Sequence, residues 1–189
     1  MLRLCVAICF LLPSLVLANP YKVTVLATNI SDYGGLGEWS FSAVFEGEDE
    51  SVLFDTGFKS DTVLHNVLHL KVDLSRAEKV VLSHFHSDHT GGLIILRDHF
   101  RKENPNALSK VYVARGFFDQ RTTAEGRLVG PGEFASAAAF REAAEARGIA
   151  FIEIESPTEI APALWVTGPV PRLVEKYNGP KGLFVEGAA

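Results

Sequence analysis

Beyond Cys9 the chain has no cysteine: only two occur in its 189 residues, and both stand near the N-terminus. The rest of the molecule therefore forms no disulfide and offers no thiolate, which leaves nitrogen and oxygen donors for any metal. Positive charge is also thin, with 18 lysines and arginines against 23 aspartates and glutamates. No basic run or basic helix face is present, so the electrostatic footprint of a nucleic-acid binder is missing and a small-molecule substrate is the expected partner. A third absence is an apolar run long enough to span a bilayer. The longest, Leu4 to Leu12, is broken by Pro13-Ser14 and falls short of the ~20 residues a spanning helix needs. It follows the short basic start Met1-Leu2-Arg3 and precedes the small or modest residues Val16-Leu17-Ala18. This is the pattern of a secretory signal, residues 1–18, cleaved near Ala18, giving a periplasmic or secreted protein with no stable membrane anchor. Residues 19–189 are enough for one domain with its own core.

Apolar and polar residues alternate from Tyr21 to Thr28 and from Trp39 to Glu46, with Gly34-Gly35-Leu36-Gly37 between them, and Val52 to Phe54 follows. These read as three strands of an antiparallel meander. Ser60-Asp61 opens a helix whose apolar face is Val63, Leu64, Val67, Leu68 and Leu70, ending near Lys71. Lys79 to Ser83 is a strand. A helix from Asp88–Thr90 carries Leu93, Ile94, Leu96 and Phe100 to a stop at Asn104-Pro105. Val111 to Ala114 returns as a strand, and Gly116 to Gly132 is glycine-bearing and polar, mainly loop. Glu133 to Arg147 is an alanine-rich helix closed by Gly148, and Ile149 to Ile154 and Leu164 to Thr167 complete the strands.

The informative segment is Ser83-His84-Phe85-His86-Ser87-Asp88-His89-Thr90-Gly91-Gly92, which sets three imidazoles and a carboxylate within six positions at the end of a buried strand. Imidazole nitrogen and carboxylate oxygen are the non-sulfur ligands that zinc and similar divalent ions prefer. Leaving an extended strand, His84 and His86 point to one side and can share a cation. Asp88 and His89, past the turn into the helix, face back across the loop. The spacing favours two adjacent metal sites that activate water, with Asp88 also placed to orient that water. Gly91-Gly92 permits close backbone approach at the helix start. A histidine-rich surface loop with adventitious metal affinity is the plain alternative.

These residues, together with Leu53-Phe54-Asp55-Thr56-Gly57 before them and Trp165-Val166-Thr167-Gly168-Pro169-Val170-Pro171-Arg172 after them, resemble the metallo-β-lactamase superfamily of metal-dependent hydrolases. Within it they are most similar to the branch labelled dihydropterin ribofuranosylaminobenzene phosphate synthase-like. The resemblance implies an α/β fold, the metallo-β-lactamase-type αβ/βα sandwich, here as its N-terminal half plus part of the second. It implies that His84 and His86 bind one divalent metal ion and Asp88 and His89 a second, with Asp55 behind them orienting the ligands. The implied reaction is attack of metal-activated water on an ester, lactone or phosphoester. Family members supply further histidines from the second half, whereas here none follows His99. The chain thus resembles a truncated member. Asp98, Asp119, a carboxylate near the C-terminus or a second chain would have to complete the ligand set; otherwise metal binding is expected to be weak. The alternative is a non-catalytic remnant or binding module. An uncovered apolar sheet face would favour a homo-oligomer.

Other residues admit competing readings. Asp55-Thr56-Gly57 also matches an aspartic-protease triplet, which would require a symmetric dimer to pair two carboxylates. His65 and His69 have a helical metal-ligand spacing but lack the glutamate of a metalloprotease, so they read as ordinary helix residues. His99 suits a helix C-terminus. Trp39 either lines a substrate pocket or packs half-buried, and Arg172 either meets an anionic group or is solvated.

Overall fold

Strict alternation along three short strands sends their side chains into two different layers. In a computed structural model, which describes residues 21–171 and 182–185, Leu53, Val80, Leu82, Val111 and Val113 enter one apolar cluster while Val52 and Val81 enter another. This two-residue period is the pleat of a sheet buried on both faces. The strands are β1 (Lys22–Ala27), β2 (Ser42–Glu46), β3 (Ser51–Phe54), β4 (Lys79–Leu82) and β5 (Lys110–Ala114). The first three form the expected antiparallel meander, and β3 to β5 run parallel. A further parallel strand lies beside β5 at Ala150–Ile154, numbered β8 below, closing a six-stranded sheet.

Parallel neighbours need crossover connections, and helices supply them. Helix α1 (Thr62–Leu70) links β3 to β4 and ends on Lys71 in the left-handed conformation. Helices α2 (Ser87–Thr90) and α3 (Leu93–Phe100) link β4 to β5. Helix α4 (Ala137–Glu145) precedes the last parallel strand. Val63, Val67, Leu93, Leu96, Phe100, Phe140 and Ala144 bring the longer helices into the main cluster on one sheet face. The opposite face is partly covered by a hairpin, Thr158–Ala161 paired with Leu164–Val166. Its Ile160 and Ala161 pack on Val52 and Val81.

The structure corrects several expectations. The helix foreseen from Asp88 onward is two helices, split at Gly91-Gly92 where the Gly92 amide donates to the Thr56 carbonyl and the Asp88 carbonyl accepts from the Phe41 amide. Trp39 to Phe41 are not strand; the Phe41 amide donates to Asp88 instead. The loop from 116 to 132 contains β6 (Arg121–Thr123) and β7 (Leu128–Val129), which join Leu183–Val185 in a second, three-stranded sheet. The strands of the hairpin are thus β9 and β10 and the last strand β11. Helix α4 starts later than expected because Ser136 caps it, its hydroxyl accepting from the Ala139 amide. Thr158 to Ala161 is a strand that the sequence pattern does not predict. No helix among the described residues is long and apolar enough to cross a membrane. The apolar segment assigned as a signal and Arg172 lie outside the described residues.

Candidate metal centre

The C-terminal ends of β3 and β4 deliver the site, the position at which parallel α/β sheets present their chemistry. Asp55 follows β3 with φ 53°, a left-handed turn that an aspartate tolerates better than most residues. Its amide donates to the Val81 carbonyl at 2.8 Å, and its own carbonyl accepts from the Ser42 hydroxyl at 2.8 Å. The turn drives the carboxylate under the loop that follows β4, where it is 1% exposed. A buried carboxylate is tolerated only when its lone pairs are filled. Here Oδ1 accepts from the Ser83 amide at 2.7 Å, and Oδ2 accepts from the Ser83 hydroxyl and from Nδ1 of His89, each at 2.7 Å. That burial removes the aspartic-protease reading, which needs a carboxylate open to substrate.

This arrangement fixes the tautomers of two histidines. His89 uses Nδ1–H on Asp55, so Nε2 carries a free lone pair. The Ser83 hydroxyl commits its proton to Asp55, so its 3.0 Å contact with Nδ1 of His84 is one in which the imidazole donates. His84 then also presents an unprotonated Nε2, which accepts from Nδ1 of His86 at 3.1 Å. One carboxylate therefore orients both rings, directly in one case and through a serine in the other.

Three donors converge. One ligand atom each from His84, Asp88 and His89 lies within 4.8 Å of the others, and His86 joins the group through His84. The His84 and His89 ring centroids are 4.2 Å apart, and Nε2 of His89 stands 3.5 Å from Oδ2 of Asp88. Two ~2.1 Å bonds to one zinc ion span at most about 4.2 Å, so ion capture draws these side chains slightly together. His84 contacts both His86 and His89, so the two pairs that the resemblance implies, 84 with 86 and 88 with 89, adjoin one another. Burial and then the flanking imidazoles of His89 and His86 lower the pKa of His84, favouring the neutral form a metal requires. The hydrogen bond to Asp55 raises that of His89 against the opposing effect of burial, so a cation and a proton compete for its Nε2. Neutral nitrogens, a carboxylate oxygen and a buried orienting anion fit a divalent ion.

The loop is held from below by the segment after Asp55. The Thr56 amide donates to the His89 carbonyl at 2.8 Å, and the Gly92 amide donates to the Thr56 carbonyl at 3.1 Å. The amides of Phe58 and Lys59 donate to the Glu38 carboxylate at 2.7 and 3.1 Å. Glu38 therefore ties the glycine-rich loop to the site, a role that its sequence context does not announce. Asn66 and His65 anchor the same loop from α1, through Leu36 and Gly34. His69 lies 3.8 Å from Asp32. The histidine pair of α1 thus braces a loop and is no part of the donor group. Of the proposed substitute ligands, Asp98 is engaged by Arg101 and Arg147, and neither it nor Asp119 joins the cluster. His99 sits in the last turn of α3, its ring edge-on to Phe100. Trp39 does not pack half-buried: it is 77% exposed and lines a cleft with His86, Ser87 and Asp88.

The sequence profile of the metallo-beta-lactamase superfamily matches residues 40–166, and the chain belongs to that superfamily. A curated relative, 7,8-dihydropterin-6-methyl-4-(beta-D-ribofuranosyl)-aminobenzene-5'-phosphate synthase of Methanocaldococcus jannaschii, is 33% identical over 93 residues, 44% of this chain and 31% of its own length. It is a distant homologue from the branch that the motifs resemble. Among solved structures, Tm1679, described as a metal-dependent hydrolase of the beta-lactamase superfamily, superposes with a TM-score of 0.62 at 30% identity. That match covers 88% of this chain and 54% of the other. The chain spans about half the length of that structure and about a third of the curated relative. Superfamily membership is consistent with a hydrolase-type function that depends on a divalent metal, and His84, Asp88 and His89 form a candidate site for one.

Proposed function

We propose that this protein is an exported metal-dependent hydrolase acting on an ester, lactone or phosphoester of a small molecule. The observation that carries the reading is the convergence of His84, Asp88 and His89 over the buried Asp55. A divalent cation held there, zinc being the ion we favour, would supply a Lewis acid and ease the deprotonation of water at neutral pH. His84, His86, Asp88 and His89 would hold the ion, and Asp88, partly exposed at the cleft, would also orient a water molecule. Asp55 keeps the two imidazoles in the ligating tautomer. Export rests on the N-terminal apolar segment, which supports a periplasmic or secreted location.

Purified protein tests this by metal analysis and by turnover of a panel of esters, lactones and phosphodiesters. At least one tightly held ion and a turnover abolished by His86→Ala support the hydrolase. A second reading, a non-catalytic remnant or binding module, is favoured by one observation: among the described residues, the convergent donors all come from residues 84–89. An ion bound without turnover on any substrate class would select it. Homo-oligomerisation through the partly covered sheet face, lined by Phe45, Phe54, Tyr112 and Trp165, would register as a dimer mass in light scattering.

A further inference from the structure

Beside the donor cluster lies a cleft of about 380 Å³ whose walls are aromatic. His86, Ser87 and Asp88 stand at its polar side, and Trp39, Phe58, Phe85, Val129 and Leu183 supply its apolar wall. The volume falls within the ~300–1,000 Å³ typical of small-molecule sites. Resting on the hydrolase reading for its chemistry, we propose that this cleft takes a flat aromatic group of the substrate, carried next to the bond that is broken.

The backbone that carries the aromatic walls is held by hydrogen bonds. Trp39 and Phe58 are 77% and 47% exposed, an unfavourable disposition for large apolar side chains unless something covers them. Yet the backbone around both is pinned. Glu38 accepts from the amides of Phe58 and Lys59 and from the Ser40 hydroxyl, so one carboxylate fixes the chain before Trp39 and at Phe58 together. The Phe41 amide donates to Asp88 and the Gly57 amide to Phe41, tying the same two segments to the metal loop. Phe85 is fixed from another side, with the Arg121 guanidinium 3.9 Å from its ring centroid. That guanidinium is itself held by the carbonyls of Gly116, Phe117 and Asp119. A backbone tied at these points has little further ordering to undergo when a planar ligand stacks on its rings, which is one source of affinity by preorganisation. The edge of the cleft is Asp88 itself, so a ring seated there sets its attached carbonyl or ester against the metal donors.

The test uses the full chain and a neutral probe, 2-naphthol, in isothermal titration with zinc-loaded and zinc-free protein. Binding to both forms is expected, weakened roughly threefold to tenfold by Trp39→Ala and by Phe58→Ala, as for loss of one aromatic contact. Trp39→Phe should restore most of it. Trp165→Ala, which removes the exposed tryptophan of the opposite sheet face, should leave it unchanged. Absence of binding, or binding sensitive to Trp165 and not to Trp39, overturns the proposal. Turnover separates it from the hydrolase reading. A preference for 2-naphthyl acetate over ethyl acetate that falls in Trp39→Ala supports both. Equal loss on both esters, or none, overturns the aromatic cleft and leaves the hydrolase. Trp39-dependent naphthol binding without hydrolysis of any ester supports the cleft and counts against the hydrolase.

Discussion

Gly91 approaches Phe58 so closely that a methyl group on its α-carbon would stand 1.8 Å from the Phe58 carbonyl oxygen. Gly91 is helical, with φ −62° and ψ −34°, so backbone conformation alone would welcome alanine. The propensity gain is under ~1 kcal/mol, whereas an overlap of this size displaces backbone at roughly 1–3 kcal/mol. Sterics win. Gly91→Ala is expected to lower the Tm by about 2–8 °C and to weaken metal binding, because the segments forced apart carry Asp55 and His89. Calorimetry and a chelator competition read the two effects. An unchanged or raised Tm would mean that the contact yields without cost.

Asp55→Asn keeps the shape of the side chain and changes what it accepts. The carboxylate takes three hydrogen bonds, from the Ser83 amide, the Ser83 hydroxyl and His89. An amide group turns one acceptor into a donor facing another donor, at a cost of ~1–3 kcal/mol for the unsatisfied buried group. His89 also loses the bond that keeps Nε2 free. Metal affinity should fall about 10- to 100-fold, measured against a competing chelator, with little change in which metal is preferred. Equal affinity in the variant would show that Asp55 acts on the fold alone.

The histidine cluster was legible because its ligand types recur at short spacing beside an apolar strand, and because Asp55 stands at the end of another. The strand before the cluster was legible as the unbroken apolar run Val80, Val81 and Leu82, whose side chains the sheet sends alternately to opposite faces. What could not be read depends on partners distant in sequence. Arg121–Thr123 is a strand only because it pairs with Leu183–Val185 and Leu128–Val129. Trp39 to Phe41 alternates like a strand, yet contacts with Asp88 and Gly57 draw it out of the ladder. Ser83 lay within the motif, but its link between Asp55 and His84 follows from the left-handed turn at Asp55, which composition does not encode. Glu38 gave no signal at all.

Ser83→Ala separates the relayed bond from the direct one. The Ser83 amide still donates to Asp55, and His89 keeps its partner, so the fold and one ligand are preserved. His84 loses the acceptor for its Nδ1 proton, and Asp55 gives up one of its three donors while keeping the Ser83 amide and His89. Loss of one such bond corresponds to about two- to tenfold in metal affinity, less than for Asp55→Asn. Nitrogen-15 spectra of the metal-free protein should show His84 moving from a single tautomer to a mixture while His89 stays fixed. A shift at His89 in place of His84 would break the proposed path.

Asn66 tests how far the site depends on the glycine-rich loop. It is 4% exposed on α1, and its amide donates to the carbonyls of Leu26 and Leu36 while its oxygen accepts from the Leu36 amide. Asn66→Ala strands three backbone groups at once, and with each buried orphan costing ~1–3 kcal/mol, partial hydration still leaves a loss of about 2–4 kcal/mol. The same loop carries Glu38 and Trp39, so the cleft should loosen before the metal centre does. The expected signature is a lower denaturation midpoint and weaker 2-naphthol binding with metal affinity almost unchanged. The metal donors are held by Asp55 and Thr56 from β3, a separate attachment. If metal affinity falls as steeply as naphthol binding, the loop and the donor cluster are one cooperative unit and the division drawn between them fails.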